Sequence, residues 1–392
     1  MQHYSQKFRL TYFWALLPLI VFFFSEDMRR TFVGEYAVIV DDMKLKYIVM
    51  LLSVIAMHII SPINIVSNNK FVPEANFFLL AFGTLLATTV CMQLNVGFHA
   101  ESIKEFLFLL VPFVFVSCIV SSDSKVVAPL IDMCFYLSLF CYILTSIQIL
   151  ISGRSISDIV VNESYSPFEN ELSPYFVYFE IYYLFQKKRK LSLLCVFLTF
   201  LSLKRFCLLK AVLFYLLFSF TSYRKVDKRL YWMTIIAFIL APIFIEAIFR
   251  ADNFDWIEDV VGQDIDQFTM SRYSIIRYVQ FELEKELFGL GTTVYLLDDW
   301  MAKSMHCDIL RIYWEGTILS TIVYTISFFK FVCKYNLFTY LIILNVFSEG
   351  LVNHWMLGAG ISCQWIIIYL MIYVINRSCN KSGNGLVVKE KT

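Results

Sequence analysis

Along most of this chain, charge vanishes repeatedly for stretches about as long as a bilayer is thick. An α-helix needs roughly 20 apolar residues to cross the hydrocarbon core, and fewer where neighbouring helices let the bilayer thin. That requirement places spans near 10–24, 45–66, 77–95, 105–121, 126–151, 173–186, 191–204, 207–222, 229–249, 312–333, 336–353 and 360–376. Of the 392 residues only 17% are charged, against about 25% in a soluble domain. The expected fold is all-α, a polytopic membrane helix bundle of about twelve transmembrane helices. Residues 1–392 form a single integral membrane domain, with one long loop, 250–311, inserted between the ninth and tenth spans. Lys7 and Arg9 precede the first span, and Ser25-Glu26-Asp27 follows it in place of a small-residue cleavage site, so it reads as an uncleaved anchor.

Loop charge gives an orientation. With loops assigned alternately, Lys187-Lys188-Arg189-Lys190, Arg224-Lys225, Lys228-Arg229, Lys330, Lys334 and the tail fall on one side, where Lys and Arg far outnumber acids. On the other side acids outnumber bases. Short basic loops stay in the cytoplasm, so both termini are expected inside and 250–311 outside. Lys204-Arg205 with Lys210 breaks the pattern, being a basic cluster at an external end. It is either a snorkelling anchor or a binding site for an anion.

The cysteines contain no CxxC pair, and Cys91, Cys118, Cys134, Cys141 and Cys195 sit inside apolar runs, as small apolar side chains do. His306, Cys307 and Asp308 are adjacent, and neighbouring helical residues point about 100° apart, so they do not converge on one metal ion. No metal or other cofactor is expected. Asp132 and Glu180 fall inside spans, where an acid is a functional candidate unless the nearby tyrosines satisfy it. Glu349 and His354 lie near an external span end, His58 reads as a packed helix residue, and Pro112 and Pro242 fall within spans.

The external loop carries the most suggestive string. Ser271-Arg272-Tyr273 opens its second half, Leu287-Phe288-Gly289-Leu290-Gly291 makes a glycine-rich turn, and Met305-His306-Cys307-Asp308-Ile309-Leu310-Arg311 leads to Glu315-Gly316. An arginine offers a planar fork to phosphate oxygens, and a histidine at the head of a helix can serve as a base. With Leu203-Lys204-Arg205 upstream, the order of these motifs resembles the Wzy-type O-antigen polymerases and the related O-antigen ligases. The resemblance spans roughly 205–316. Cys307 stands where the family commonly has Asn, and Ser271 where it has Gly.

The resemblance implies a glycosyltransferase of the bacterial inner membrane, with its active site facing the periplasm. Such an enzyme moves a glycan from undecaprenyl diphosphate onto the hydroxyl of an incoming lipid-linked repeat unit, without nucleotide or metal. It implies His306, Arg272 and Arg205 as catalytic residues, and Lys204, Lys210, Arg277 and Arg311 as substrate-binding residues. The expected partners are the lipid-linked oligosaccharide, the bilayer and a chain-length regulator protein, with no nucleic acid. A ligase handing the glycan to lipid A core shares the same motifs. A lipid-linked oligosaccharide flippase is the rival of another class.

Overall fold

The computed structural model describes residues 5–33, 42–61, 72–159, 166–169, 172–220, 224–250, 259, 262, 269, 272–301, 305–352, 356–357 and 363–382. Ser271, His354 and most of 251–271 lie outside these. The chain is all-α: the described residues form helices and no strand. In order they are α1 (Gln6–Val33), α2 (Asp42–Ile60), α3 (Val72–Val96), α4 (Ala100–Asp123), α5 (Val127–Ile151), α6 (Ser173–Phe185), α7 (Arg189–Ser202), α8 (Arg205–Phe218) and α9 (Lys228–Arg250). There follow α10 (Arg272–Glu286), α11 (Thr292–Met301), α12 (Asp308–Phe329), α13 (Leu337–Val352) and α14 (Cys363–Ser382).

A helix overlaps each apolar stretch found in the sequence. By length and composition, four helical stretches are able to cross a membrane: Gln6–Phe24, Asn76–Val96, Ala100–Ile151 and Lys228–Phe249. Lys46–Ile60, Leu337–Val352 and Cys363–Cys379 are shorter apolar helices. Ala100–Ile151 is two helices, because Asp123 turns extended (φ −154, ψ 103) and its side chain accepts the Lys125 N–H.

The outer surface explains why such a sequence folds without a polar coat. Ile48, Leu51, Leu52, Ile55 and Ile59 are exposed along one face of α2, and Met233, Ile236, Leu240, Phe244 and Ile248 along α9. These residues follow helical spacing, yet they face outward. In water such stripes would form apolar patches far beyond what a soluble monomer exposes; against lipid they cost nothing. The innermost helix is α6, buried from Ser173 to Leu184. It packs against α7, α8, α13 and α14.

The helix ends sort into two sets. At one end Lys7 Nζ donates to Ser61 Oγ (3.2 Å), Ser122 Oγ to the Met57 carbonyl (3.2 Å) and Arg377 Nη1 to Ser124 Oγ (2.5 Å). There the 224–226 and 335–337 segments also exchange backbone hydrogen bonds. The basic loops gather at this end. The opposite end holds the α3–α4 and α7–α8 connections, the N-terminus of α12 and the C-terminus of α13.

α12 is not one continuous helix. Thr317 interrupts it at φ 67, ψ 172, a conformation that a β-branched residue rarely adopts. The break bends the helix between its two halves. Tyr324 lies close enough to Asp308 to feel its charge, although 16 residues of straight helix would separate them by about 24 Å. A chain of contacts links its two halves: Asp308 accepts the Met356 N–H, Met356 O accepts from Trp365 Nε1, and Trp365 packs against Phe328. The hydropathy pattern, which placed a single span over 312–333, contains no proline to mark this bend.

Candidate functional site

A buried ion network sits where α12 meets α3, α4 and the glycine-rich turn. Arg311 Nη2 donates to Glu105 Oε2 at 2.8 Å, its Nε to both oxygens of Glu315 at 3.2 Å, and its Nη1 to the Leu357 carbonyl at 3.4 Å. Glu315 also accepts from Gly291 N (2.9 Å), Thr293 N (2.7 Å) and Thr293 Oγ1 (2.6 Å). Those backbone groups are orphan donors at the start of α11, so Glu315 caps that helix from a distance. A phosphate seeking the same helix N-terminus would find it filled.

The turn before α11 is pinned just as firmly. Leu290 N donates to Thr89 Oγ1 (3.1 Å) and Ser102 Oγ to Leu290 O (2.5 Å). His99 stacks on Phe288 with centroids 3.9 Å apart and rings 1° from parallel. Gly289 adopts φ +101, and a Cβ there would lie 2.8 Å from the Thr89 Cα, so only glycine fits.

His306 occupies the bend before α12 and is partly exposed, while Cys307 caps the helix and is buried. Arg272, at the start of α10, is held close to Cys307. Its Nε is buried without a hydrogen-bond partner, and burial pulls its guanidinium below the ordinary value. Burial also pushes the Cys307 thiol up to about 12, so it stays protonated. An apolar cluster makes this meeting: Ile275, Ile276 and Val279 of α10 pack with Met305, Leu310 and Trp314. The structure thus brings Arg272 to the His306 turn. Arg277, on the same helix, lies 5.8 Å from the Tyr273 ring centroid.

Asp308 is fully buried. Its Oδ2 accepts Met356 N (2.6 Å) and Leu357 N (3.0 Å), while Oδ1 has no partner. Burial raises it to about 7, against the lowering pull of Arg311 and the two N–H groups. Asp308 and Arg311 therefore hold the 356–357 segment from both sides, one accepting its N–H groups and the other donating to a carbonyl.

The second basic group lies at the α7–α8 turn. Leu203 closes α7 in a left-handed conformation (φ 50), a strained choice for a leucine. Lys204 and Arg205 then open α8, and Arg205 is exposed. First-turn N–H groups with two cations beside them form a positive corner. Lys204 reaches Glu169 at 3.8 Å. Lys210 is buried and bonded to Glu349, which also accepts from Cys207 Sγ at 3.5 Å. Gly350 packs against Met356 and Ile309, so this group and the His306 turn share one end of the bundle.

Of the expected substrate-binding residues, Arg311, Lys210 and Lys204 thus face protein carboxylates, the first two in buried pairs. Glu349, which the sequence marks as an acid near an external span end, belongs to the site, whereas Glu105 and His99 are components that sequence reading did not select. Their only sequence signal is position at an external span end. Among the described residues no group of three His, Cys, Asp or Glu side chains is placed to hold a metal ion. Comparison with protein-family models, curated proteins and solved structures finds no match.

Proposed function

We propose that this chain is a Wzy-type O-antigen polymerase, moving glycan from undecaprenyl diphosphate onto a hydroxyl of an incoming lipid-linked repeat unit. The observation that carries the reading is Arg272, partly buried with an unsatisfied Nε, beside the His306–Cys307 turn. A planar cation with a spare donor suits a departing diphosphate. His306, partly exposed next to it, suits the acceptor side, drawing the proton from the attacking hydroxyl while the anomeric carbon–oxygen bond to the diphosphate breaks. Arg205 and Lys204 add positive charge at the same end of the bundle. Arg311 takes a supporting role in this account, since it orients α12 and the turn that leads into it.

The chemistry draws its energy from the diphosphate linkage and asks for no nucleotide. The site faces the periplasm from the bacterial inner membrane, with the basic loops in the cytoplasm, and a chain-length regulator is the expected protein partner. The broken helix α12 favours one second reading, a lipid-linked oligosaccharide flippase, because transporters build midplane sites from discontinuous helices.

Reconstitution separates the readings. Purified protein in liposomes, given lipid-linked repeat units and no nucleotide, should yield a ladder of lengthened glycans. A single transfer to added lipid A core indicates the ligase. Translocation with no new glycosidic bond indicates the flippase, and either result overturns the proposal.

A further inference from the structure

The two acids expected within spans differ in the company they keep. Asp132 receives a hydrogen bond from the Tyr183 hydroxyl at 3.3 Å and lies 3.6 Å from Lys188 Nζ. Glu180 is 0% exposed, and neither of its carboxyl oxygens has a hydrogen-bond partner. It sits on α6, the helix buried on all sides. The titratable group facing it is the Cys195 thiol of α7, itself buried. Among the described residues of α7, α8, α13 and α14, the helices packed on α6, no charged group acts on it. From α5, Asp132 is turned to Tyr183 and Lys188.

A carboxylate shut off from solvent, with no protein donor or counter-ion, does not remain charged in such a place; it takes a proton instead. We infer that Glu180 is a proton-binding site within the bundle, held as the neutral acid at neutral pH and open to modification by hydrophobic carbodiimides. Glutamine would fill the same space with no proton to exchange. What glutamate adds in a buried setting without a hydrogen-bond partner is the capacity to take up and release H⁺.

The modification follows from the neutral acid. Its carboxyl oxygen adds to the central carbon of the carbodiimide while its proton passes to a carbodiimide nitrogen. The resulting O-acylisourea rearranges to a stable N-acylurea, so one whole reagent is added and nothing leaves.

The test uses the full chain in membranes at about pH 7.5, where a solvated glutamate is ionised. Dicyclohexylcarbodiimide treatment, digestion and mass spectrometry should find an adduct on Glu180, and a water-soluble carbodiimide should leave it unmodified. Infrared spectroscopy reads the same proton without needing reagent access. The difference between wild type and Glu180→Gln should hold the carbonyl stretch of a protonated carboxylic acid, shifted in heavy water. Should that variant fail to accumulate, loss of part of the wild-type band on formation of the mapped Glu180 adduct carries the result. A difference spectrum without that band, or no Glu180 adduct with dicyclohexylcarbodiimide, overturns the proposal.

Discussion

Arg311 Nη2 donates to Glu105 Oε2 at 2.8 Å across 206 residues of sequence. The pair ties the head of α12 to the first turns of α4 in a place closed to water. Such a pair is costly to assemble and costlier to break, because a lone buried charge has no compensation. Arg311→Met should lower stability by about 3–5 kcal/mol, the range for removing one partner of a buried pair. Adding Glu105→Gln and Glu315→Gln should restore part of the loss. Thermal unfolding in detergent checks both. Equal stability of Arg311→Met and wild type would mean the network bears no load.

The glycine-rich turn is predicted to be intolerant of any side chain at its first glycine. Gly289→Ala meets the Thr89 backbone and must also keep φ +101, a backbone cost alone of about 1–3 kcal/mol. Reduced expression and a lower melting temperature are expected, whereas alanine at Gly83, where a Cβ meets nothing within 4 Å, should be tolerated.

Asp308 gives the fold a pH dependence of definite sign. Burial raises it from 3.8 to about 7 in the folded chain, so between those values the folded state holds a proton that the unfolded state has released. Stability from this group therefore falls as pH rises through that window. The melting temperature should be higher near pH 5 than near pH 8 by more in wild type than in Asp308→Asn, which keeps an oxygen for the Met356 and Leu357 N–H groups. The same slope in both proteins would remove Asp308 as its source.

Orientation is open to direct labelling. In a background without native cysteines, a cysteine at Lys104, at the exposed end of α4, should react with an impermeant maleimide in intact cells. One at Lys188 should react only after lysis. Reversal of the two would invert the topology and place the basic loops outside.

The helices were legible because hydropathy is a local signal, and each apolar run in the sequence met a helix. The site was legible only in its motifs. Arg272, His306 and the glycine turn stand out as residue types in order, whereas Glu105 reveals itself only when Arg311 is placed against it, 206 residues away. The break at Thr317 follows an ordinary glycine, so nothing in the composition of 312–333 marks it. Lys210 reads as a cation at a membrane face until Glu349, a residue of another helix, is seen to hold it.

The two arginines should separate from the buried one in activity assays. Arg205→Ala and Arg272→Ala should each abolish or greatly reduce polymerisation at near-normal protein levels, with lysine a poor replacement because it keeps charge but loses the fork. Full activity in both alanine variants would remove them from the diphosphate site.

The central claim, that the turn before α12 does acid–base work on the acceptor, is tested most directly by His306→Gln with purified lipid-linked repeat units. Glutamine can hydrogen-bond but cannot accept the proton at neutral pH. The initial rate of glycan lengthening should fall by about 10²–10⁴, the usual worth of general-base help, with donor KM little changed. A variant that polymerises at the wild-type rate would contradict the assignment and leave His306 as a structural residue of the loop.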